Sequence, residues 1–324
     1  MDKKFKETIK SIVAFIKTQD NFLITSHVNA DGDAYASLLS VAYMLNQWNK
    51  AYKIIIHDRE PEEKYAFMWG FEDIRSYSAA FDGKFDAAIA VDVPSRERIG
   101  DPALLLPSPG ACVKIDHHPE EEKFAEYNLV STRASSTSQL VFEIVTEAGI
   151  DMTHDLAVLI FSGIMYDTGR FSFSNTNVRD FEIAAHLLRF EVQPSKIADQ
   201  IFFTNSFQSM KTIGYALDRM ESLLEGKLAI IFLPLHVVQK NHPSEIEELA
   251  NYSIAIKDVE VGLFIREVEP NFYKVSFRSK GRVNVNVIAK VFGGGGHDHA
   301  AGCRYQGDYE NLKTRLIEEI RKHL

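Results

Sequence analysis

Apolar residues at Phe5, Ile9, Ile12, Val13 and Ile16 recur at helical spacing and predict an amphipathic helix over residues 5–18. The pattern then changes to a short continuous run, Phe22-Leu23-Ile24-Thr25, which predicts a buried strand. Residues 34–48 read as a helix and 53–57 as a strand centred on Ile54-Ile55-Ile56. Strands follow at 85–91 and 111–115, and helices at 135–148, 154–165 and 179–190. Strands that are apolar throughout cannot have one face in water. Their alternation with helices predicts an α/β fold, an N-terminal parallel sheet with helices on both faces.

The pattern breaks at Gln193-Pro194-Ser195 and resumes differently. Residues 193–223 read as a helical linker. Beyond it, strands are predicted at 227–233, 259–267 and 271–277, followed by a basic turn, Arg278-Ser279-Lys280-Gly281-Arg282. A helix at 286–291 runs into Phe292-Gly293-Gly294-Gly295-Gly296-His297, read as a loop, and a last helix covers 309–323. The expected organisation is a catalytic domain over 1–192, the linker over 193–223, and a smaller α/β domain over 224–324.

Composition narrows the class. A length of 324 residues suits about two domains. Hydrophobic residues at 45% and charged residues at 25% are ordinary for a soluble globular protein. No apolar run approaches the roughly 20 residues of a membrane-spanning helix, and Met1-Asp2-Lys3-Lys4 leads into a polar helix rather than a signal peptide. Cys112 and Cys303 are the only cysteines, which argues against a disulfide framework and fits the cytoplasm. A net charge of −9 argues against a surface for long duplex nucleic acid. It does not exclude anionic substrates, because bound divalent cations reverse the local field.

The candidate chemistry sits where apolar runs stop. Cys112-Val113-Lys114-Ile115 ends in Asp116-His117-His118. The first strand stops before His27, with Asp31 and Asp33 following across Gly32. The run 85–91 stops at Asp92, and an apolar helix ends at Asp167-Thr168-Gly169. In parallel sheets, ligands sit at the carboxyl ends of the strands. Singly, each residue has an ordinary explanation: His27 as a hydrogen-bonded strand end, Asp31 and Asp33 as helix-capping acids, Asp92 as a turn residue. An HxxxDxD pattern, a strand-end Asp, an Asp-His-His triplet and a helix-end Asp in one chain together indicate a metal centre. Asp and His ligands suit Mn²⁺, Zn²⁺ or Fe²⁺, and the carboxylate excess favours Mn²⁺ or Mg²⁺. The lack of thiolate ligands argues against structural zinc. Ser135-Ser136-Thr137-Ser138 opens a helix and suits either capping or phosphate binding. The glycine run suits either a flexible turn or close approach of backbone to a ligand.

With these motifs the chain resembles the DHH phosphoesterases. It is closest to the branch of bacterial oligoribonucleases (nanoRNases) and pAp phosphatases, the NrnA type, which joins a DHH domain to a smaller DHH-associated C-terminal domain. The resemblance covers nearly the whole chain. It rests on residues 27–34, Ala90-Val91-Asp92, Ile115 through His118, Ala134 through Ser138, Asp167 through Phe171 with Asn175-Thr176, Phe277-Arg278-Ser279, and Gly293 through His297. It implies two divalent ions, with Mn²⁺ expected. His27, Asp31 and Asp92 would hold one, and Asp33, Asp92, His117 and Asp167 the other, so that Asp92 bridges. Catalytic roles fall to Asp92, to His118 facing the phosphate, and to Asp116 orienting an imidazole. Substrate binding falls to Ser135, Ser136, Arg278, Ser279, Gly294, Gly295, Gly296 and His297, with the two domains closing over a short substrate. Ala30, Tyr35, Ala36 and His299 depart from the family pattern without touching an implied ligand.

The implied activity is hydrolysis of short oligoribonucleotides (nanoRNA) to mononucleotides, with removal of the 3′-phosphate of pAp. The alternatives are a cyclic or linear dinucleotide phosphodiesterase, a manganese-dependent pyrophosphatase, and a nucleotide-binding protein without turnover. Short RNA or nucleotides are the expected partners, and a homodimer is compatible with the sequence.

Overall fold

The computed structural model describes residues 3–81, 83–241 and 246–324, so Met1 and Asp2 of the polar N-terminal stretch lie outside it. The chain divides into two units, Met1–Phe203 and Thr204–Leu324. The first unit contains α1 (Lys3–Thr18), β1 (Phe22–Thr25), α2 (Gly32–Gln47), β2 (Tyr52–Ile56), β3 (Ile74–Ser76), β4 (Ala87–Val91), β5 (Cys112–Asp116), β6 (Tyr127–Val130), α3 (Thr137–Ala148), α4 (His154–Asp167), α5 (Val178–Leu187) and α6 (Pro194–Phe202). The division falls after α6 rather than at residue 192, because Ile197 and Ile201 of α6 join the core of the first unit.

The six strands form one sheet in the order β3-β2-β1-β4-β5-β6. Every neighbouring pair is parallel. The four strands predicted from continuous apolar runs are its centre, and β1, β4 and β5 are buried at every residue. The edges β3 and β6 escaped prediction because they are short and half polar, with only Ile74 and Leu129 buried. Strand order reverses direction between β1 and β4, which opens a crevice at their carboxyl ends. Alongside runs α2, buried from Gly32 through Leu45. A helix apolar on all sides belongs inside a layer rather than over one. By contrast α1 buries only the stripe Ile9, Ile12, Val13 and Ile16 that its periodicity predicts.

The second unit contains α7 (Phe207–Asp218), β7 (Glu221–Leu223), β8 (Leu228–Leu233), α8 (Leu235–Val238), α9 (Leu249–Tyr252), β9 (Val261–Glu269), β10 (Phe272–Ser279), α10 (Val285–Val291), β11 (Gly295–His297), β12 (Ala300–Gln306) and α11 (Tyr309–Arg321). Its mixed sheet has the order β11-β12-β10-β9-β8-β7. The glycine run, expected as a loop, enters this sheet: Gly295, Gly296 and His297 pair with Gly302, Ala301 and Ala300. Close packing demands glycine here. A Cβ on Gly294 would lie 2.1 Å from Gly302 O, and one on Gly296, where φ is 146°, 2.5 Å from Ala300 O.

Candidate metal centre

After β1 the chain passes through a loop held by Asp58. Asn29 has φ 56°, a left-handed conformation. The Asp58 carboxylate accepts from Asn29 N at 2.8 Å and Ala30 N at 2.9 Å, fixing that turn. His27 Nδ1 donates to Val28 O, 2.9 Å away. Because a carbonyl only accepts, Nδ1 carries the hydrogen and Nε2 faces the site. Asp31 is the N-cap of α2, accepting from Asp33 N and Ala34 N at 3.0 and 3.2 Å through Oδ1. The capping reading and the ligand reading are thus compatible, since capping occupies one carboxylate oxygen.

Asp33, in the first turn of α2, is fully buried. Its Oδ2 accepts from Thr137 N at 2.6 Å, and its Oδ1 from Ser138 N at 3.0 Å. The exposed amides and dipole of the α3 N-terminus therefore hold an anion, as helix starts do. The anion is the protein's own carboxylate. Ser135 and Ser136, expected at the substrate, are both fully buried. Ser135 Oγ donates to Asp180, and Ser136 Oγ accepts from Gln139 N at 3.1 Å. Their hydroxyls buttress the start of α3.

Asp92 follows β4 with φ 55°, an unusual conformation for a residue other than glycine, and of the kind that collects at functional sites. Its N–H donates to Ile115 O at 2.8 Å. Asp92 Oδ2 lies 3.4 Å from His27 Nε2, and Oδ1 lies 3.5 Å from His117 Nε2. Oδ1 also accepts from Thr137 Oγ1 at 2.9 Å. His117 Nε2 is 3.0 Å from Asp167 Oδ2, at the last residue of α4. Asp116, fully buried, accepts through Oδ1 from His118 N at 3.1 Å and pairs with His118 Nδ1 at 2.8 Å.

Two groups that could hold a metal ion share Asp92: His27 with Asp31 and Asp92, and Asp33 with Asp92 and His117, the candidate ligand atoms of each lying within 4.8 Å of one another. Asp167 adjoins the second through His117. A third grouping, Asp92 with Asp116 and His118, is also close, but His118 Nδ1 is already committed to Asp116.

The electrostatics indicate a pocket short of positive charge. Burial, then the charges of Asp92 and Asp167, pushes Asp31 up to about 6. Burial and the same two carboxylates hold Asp33 well above the usual range. Burial would lower His27, but the hydrogen bond it donates to Asp92 and the charges of Asp31 and Asp92 outweigh it and raise His27 to about 9. His117 is raised well above its usual value against the same burial penalty, chiefly by Asp167. Burial opposes the ionisation of Asp92 too, yet His27, His118 and His117 hold it below the ordinary carboxylate range. Carboxylates that compete this hard for cationic partners, with oxygen and imidazole donors alone, fit divalent cations.

Gly163 of α4 makes the crowding possible. A Cβ there would lie 2.6 Å from Asp33 Oδ1 and 1.9 Å from Ser138 Oγ. Gly163→Ala is therefore expected to cost about 1–3 kcal/mol through overpacking. It should also weaken cation binding by displacing Asp33. Calorimetric titration with Mn²⁺ beside a urea melt checks this, and unchanged values in both would show that the site tolerates the methyl.

In the second unit, Arg278 on β10 and His297 on β11 both pair with Ala300 of β12. Directly opposed residues share a face, so the three form one row with the small Ala300 in the middle. Arg278 Nε donates to Asn251 Oδ1 at 3.0 Å. Ser279 Oγ donates to Val283 O at 2.7 Å and lies 3.0 Å from His299 Nδ1, so it shapes the turn. Gly294, Gly295 and Gly296 lead into or form β11 beside this row.

Sequence reasoning passed over Asp58, Thr137 and Gly163. Thr137 lay inside the hydroxyl segment. For Asp58 and Gly163 no local signal exists, because their partners are distant in sequence.

Residues 21–164 match the DHH family, N-terminal domain, and residues 225–324 match the DHHA1 domain. The chain is 30% identical over 297 residues to the bifunctional oligoribonuclease and PAP phosphatase NrnA of Bacillus subtilis, covering 90% of this chain and 91% of that one. It is 28% identical over 324 residues to the Thermus thermophilus protein of the same name, covering 99% and 96%. Among solved structures it is similar to an exopolyphosphatase-related protein from Bacteroides fragilis, with a TM-score of 0.90 and 28% identity over 98% of this chain and 96% of that one.

Proposed function

The chain belongs to the DHH family of phosphoesterases, and from that premise we propose that it hydrolyses short oligoribonucleotides to mononucleotides and removes the 3′-phosphate of pAp. The observation that carries this reading is the convergence of His27, Asp31, Asp33, His117 and Asp167 around Asp92, in a pocket whose acids lack enough positive charge. The names of the relatives supply the substrate class.

In this reading His27, Asp31 and Asp92 hold one divalent ion, and Asp33, Asp92, His117 and Asp167 hold a second, with Mn²⁺ preferred. When bound, such ions polarise a phosphoryl oxygen and offset charge on the attacking and leaving oxygens. The residues do the positioning. Asp92 presents one oxygen to the His27 side and the other to the His117 side. Thr137 and the first amides of α3 keep Asp92 and Asp33 from turning away. Asp116 fixes the His118 ring through Nδ1, and the ring is assigned to proton exchange with a substrate oxygen through Nε2. The row Arg278–Ala300–His297, beside the glycine strand, is assigned to the substrate's terminal phosphate, sugar or base.

Both cysteines are buried and unpaired, which supports a cytoplasmic setting. Among the described residues no helix is long and apolar enough to cross a membrane.

The test is a panel of a dinucleotide, pAp, cyclic di-AMP and pyrophosphate with Mn²⁺, extended to a five-mer and an RNA of about 24 nucleotides at fixed salt. Turnover is expected on the dinucleotide and pAp, with kcat/KM highest for two to about five nucleotides. A net charge of −9 gives no general positive track for a long strand. Turnover of pyrophosphate alone would overturn the substrate class, and equal cleavage of the long RNA would overturn the length preference.

A further inference from the structure

Lys114 has no part in the chemistry derived so far, yet it is fully buried. It precedes Asp116 by two residues on β5, so both side chains project from the same face of the sheet. Cys112, Ala90 and Phe124, whose ring centroid is 5.5 Å from Lys114 Nζ, pack on that face, and Thr25 and Asn128 stand in the same row as Lys114. Nζ donates to Pro94 O at 2.6 Å and to Glu122 O at 3.1 Å. Pro94 lies two residues beyond Asp92, and Glu122 four beyond His118. The lysine thus ties together the segments that follow two of the strand-end motifs. Its remaining direction meets Asp116, with Nζ 3.8 Å from Oδ2.

Asp116 explains why a charge is needed there. Oδ1 is engaged by His118 twice, but Oδ2 is buried without a hydrogen-bond partner. A carboxylate's terminal torsion is broad, so contacts at one oxygen leave its plane weakly set. An apolar side chain would fill this layer at lower cost than an ammonium, and buried charges are best accounted for where they specify an arrangement.

We propose that Lys114 is a positioning residue: its ammonium, anchored on Pro94 O and Glu122 O, holds Asp116 by Oδ2 so that Oδ1 stays turned to His118 Nδ1 and the imidazole keeps one orientation. The role in turnover rests on the phosphoesterase reading above, while the role in orientation does not. Lys114 touches neither substrate nor cation and acts only through Asp116 and His118.

The test uses the full chain and the variants Lys114→Met, Asp116→Asn and the two combined. In ¹⁵N-histidine-labelled protein, the His118 Nδ1–H is expected as a hydrogen-bonded, downfield proton signal, assigned by its loss in His118→Ala. It should disappear in Lys114→Met. Mn²⁺ affinity by calorimetry and KM for a dinucleotide should stay within about threefold, while kcat falls about ten- to a hundredfold. The double variant should be no slower than Asp116→Asn, because both changes break one chain of contacts. If Lys114→Met does not fold, Lys114→Gln keeps a donor for the two carbonyls and removes the charge, with the same outcomes expected. A retained His118 signal in the folded variant overturns the proposal, as do losses in kcat that multiply in the double variant. A wild-type chain that shows the signal but turns over nothing in the panel sinks the functional reading instead. The signal in Lys114→Met still decides the orientation.

Discussion

Asp92→Asn abolishes turnover, with kcat/KM on a dinucleotide falling by about 10⁴-fold or more, on the scale seen when a member of a catalytic unit is removed. The size of the effect follows from the number of groups that meet at this one side chain. Its two oxygens face His27 and His117 separately, and Oδ1 also takes the Thr137 hydroxyl. Asparagine is a cleaner replacement than alanine. Asp92 has φ 55°, and asparagine tolerates the left-handed region better than other side chains. The fold should therefore survive while one shared donor oxygen becomes an amide. Calorimetry should show weaker Mn²⁺ binding at both positions. A folded Asp92→Asn chain with wild-type turnover would remove Asp92 from the shared role.

His118→Ala gives the second large effect, with a different signature. Its Nδ1, 3.6 Å from Asp92 Oδ1, is bonded to Asp116 at 2.8 Å, so that atom is taken up in the grouping of Asp92, Asp116 and His118. Bound Mn²⁺ should therefore stay at the wild-type level while kcat drops about 10²–10⁴-fold, the usual contribution of a positioned proton-transfer group. Metal content and kinetics must be measured on the same sample. Loss of metal together with rate would make His118 a ligand in the grouping with Asp92 and Asp116.

The strand-end chemistry was legible because of a simple constraint. A parallel strand covered on both sides carries few polar side chains before its carboxyl end, Lys114 in the middle of β5 being an exception. The stops at His27, Asp92 and Asp116 therefore stand out against apolar runs. The central strands and the α1 stripe were legible for the same reason. Local pattern could not supply what depends on a distant partner. Asp58 grips the loop at Asn29 from 29 residues away, and nothing near either marks the pairing. The start of α3 is readable as suited to capping or to an anion, but sequence does not say whose anion, and the carboxylate its first amides meet is that of Asp33. The glycine run is intrinsically poor strand material, and only its pairing with 300–302 makes it one.

Asp31 caps α2 and Asp33 lies in its first turn, and this helix is buried over almost its whole length. Asp167 is likewise the end of α4, whose residues from Leu156 to Met165 are nearly all buried. Carboxylates mounted on core helices cannot soften ahead of the scaffold in the way groups on surface loops do. On heating, loss of cation binding and melting of the first unit should therefore trace a single transition. Stabilising substitutions deep on α2, far from any reacting atom, should then lengthen the working life of the catalyst as directly as changes at the site itself.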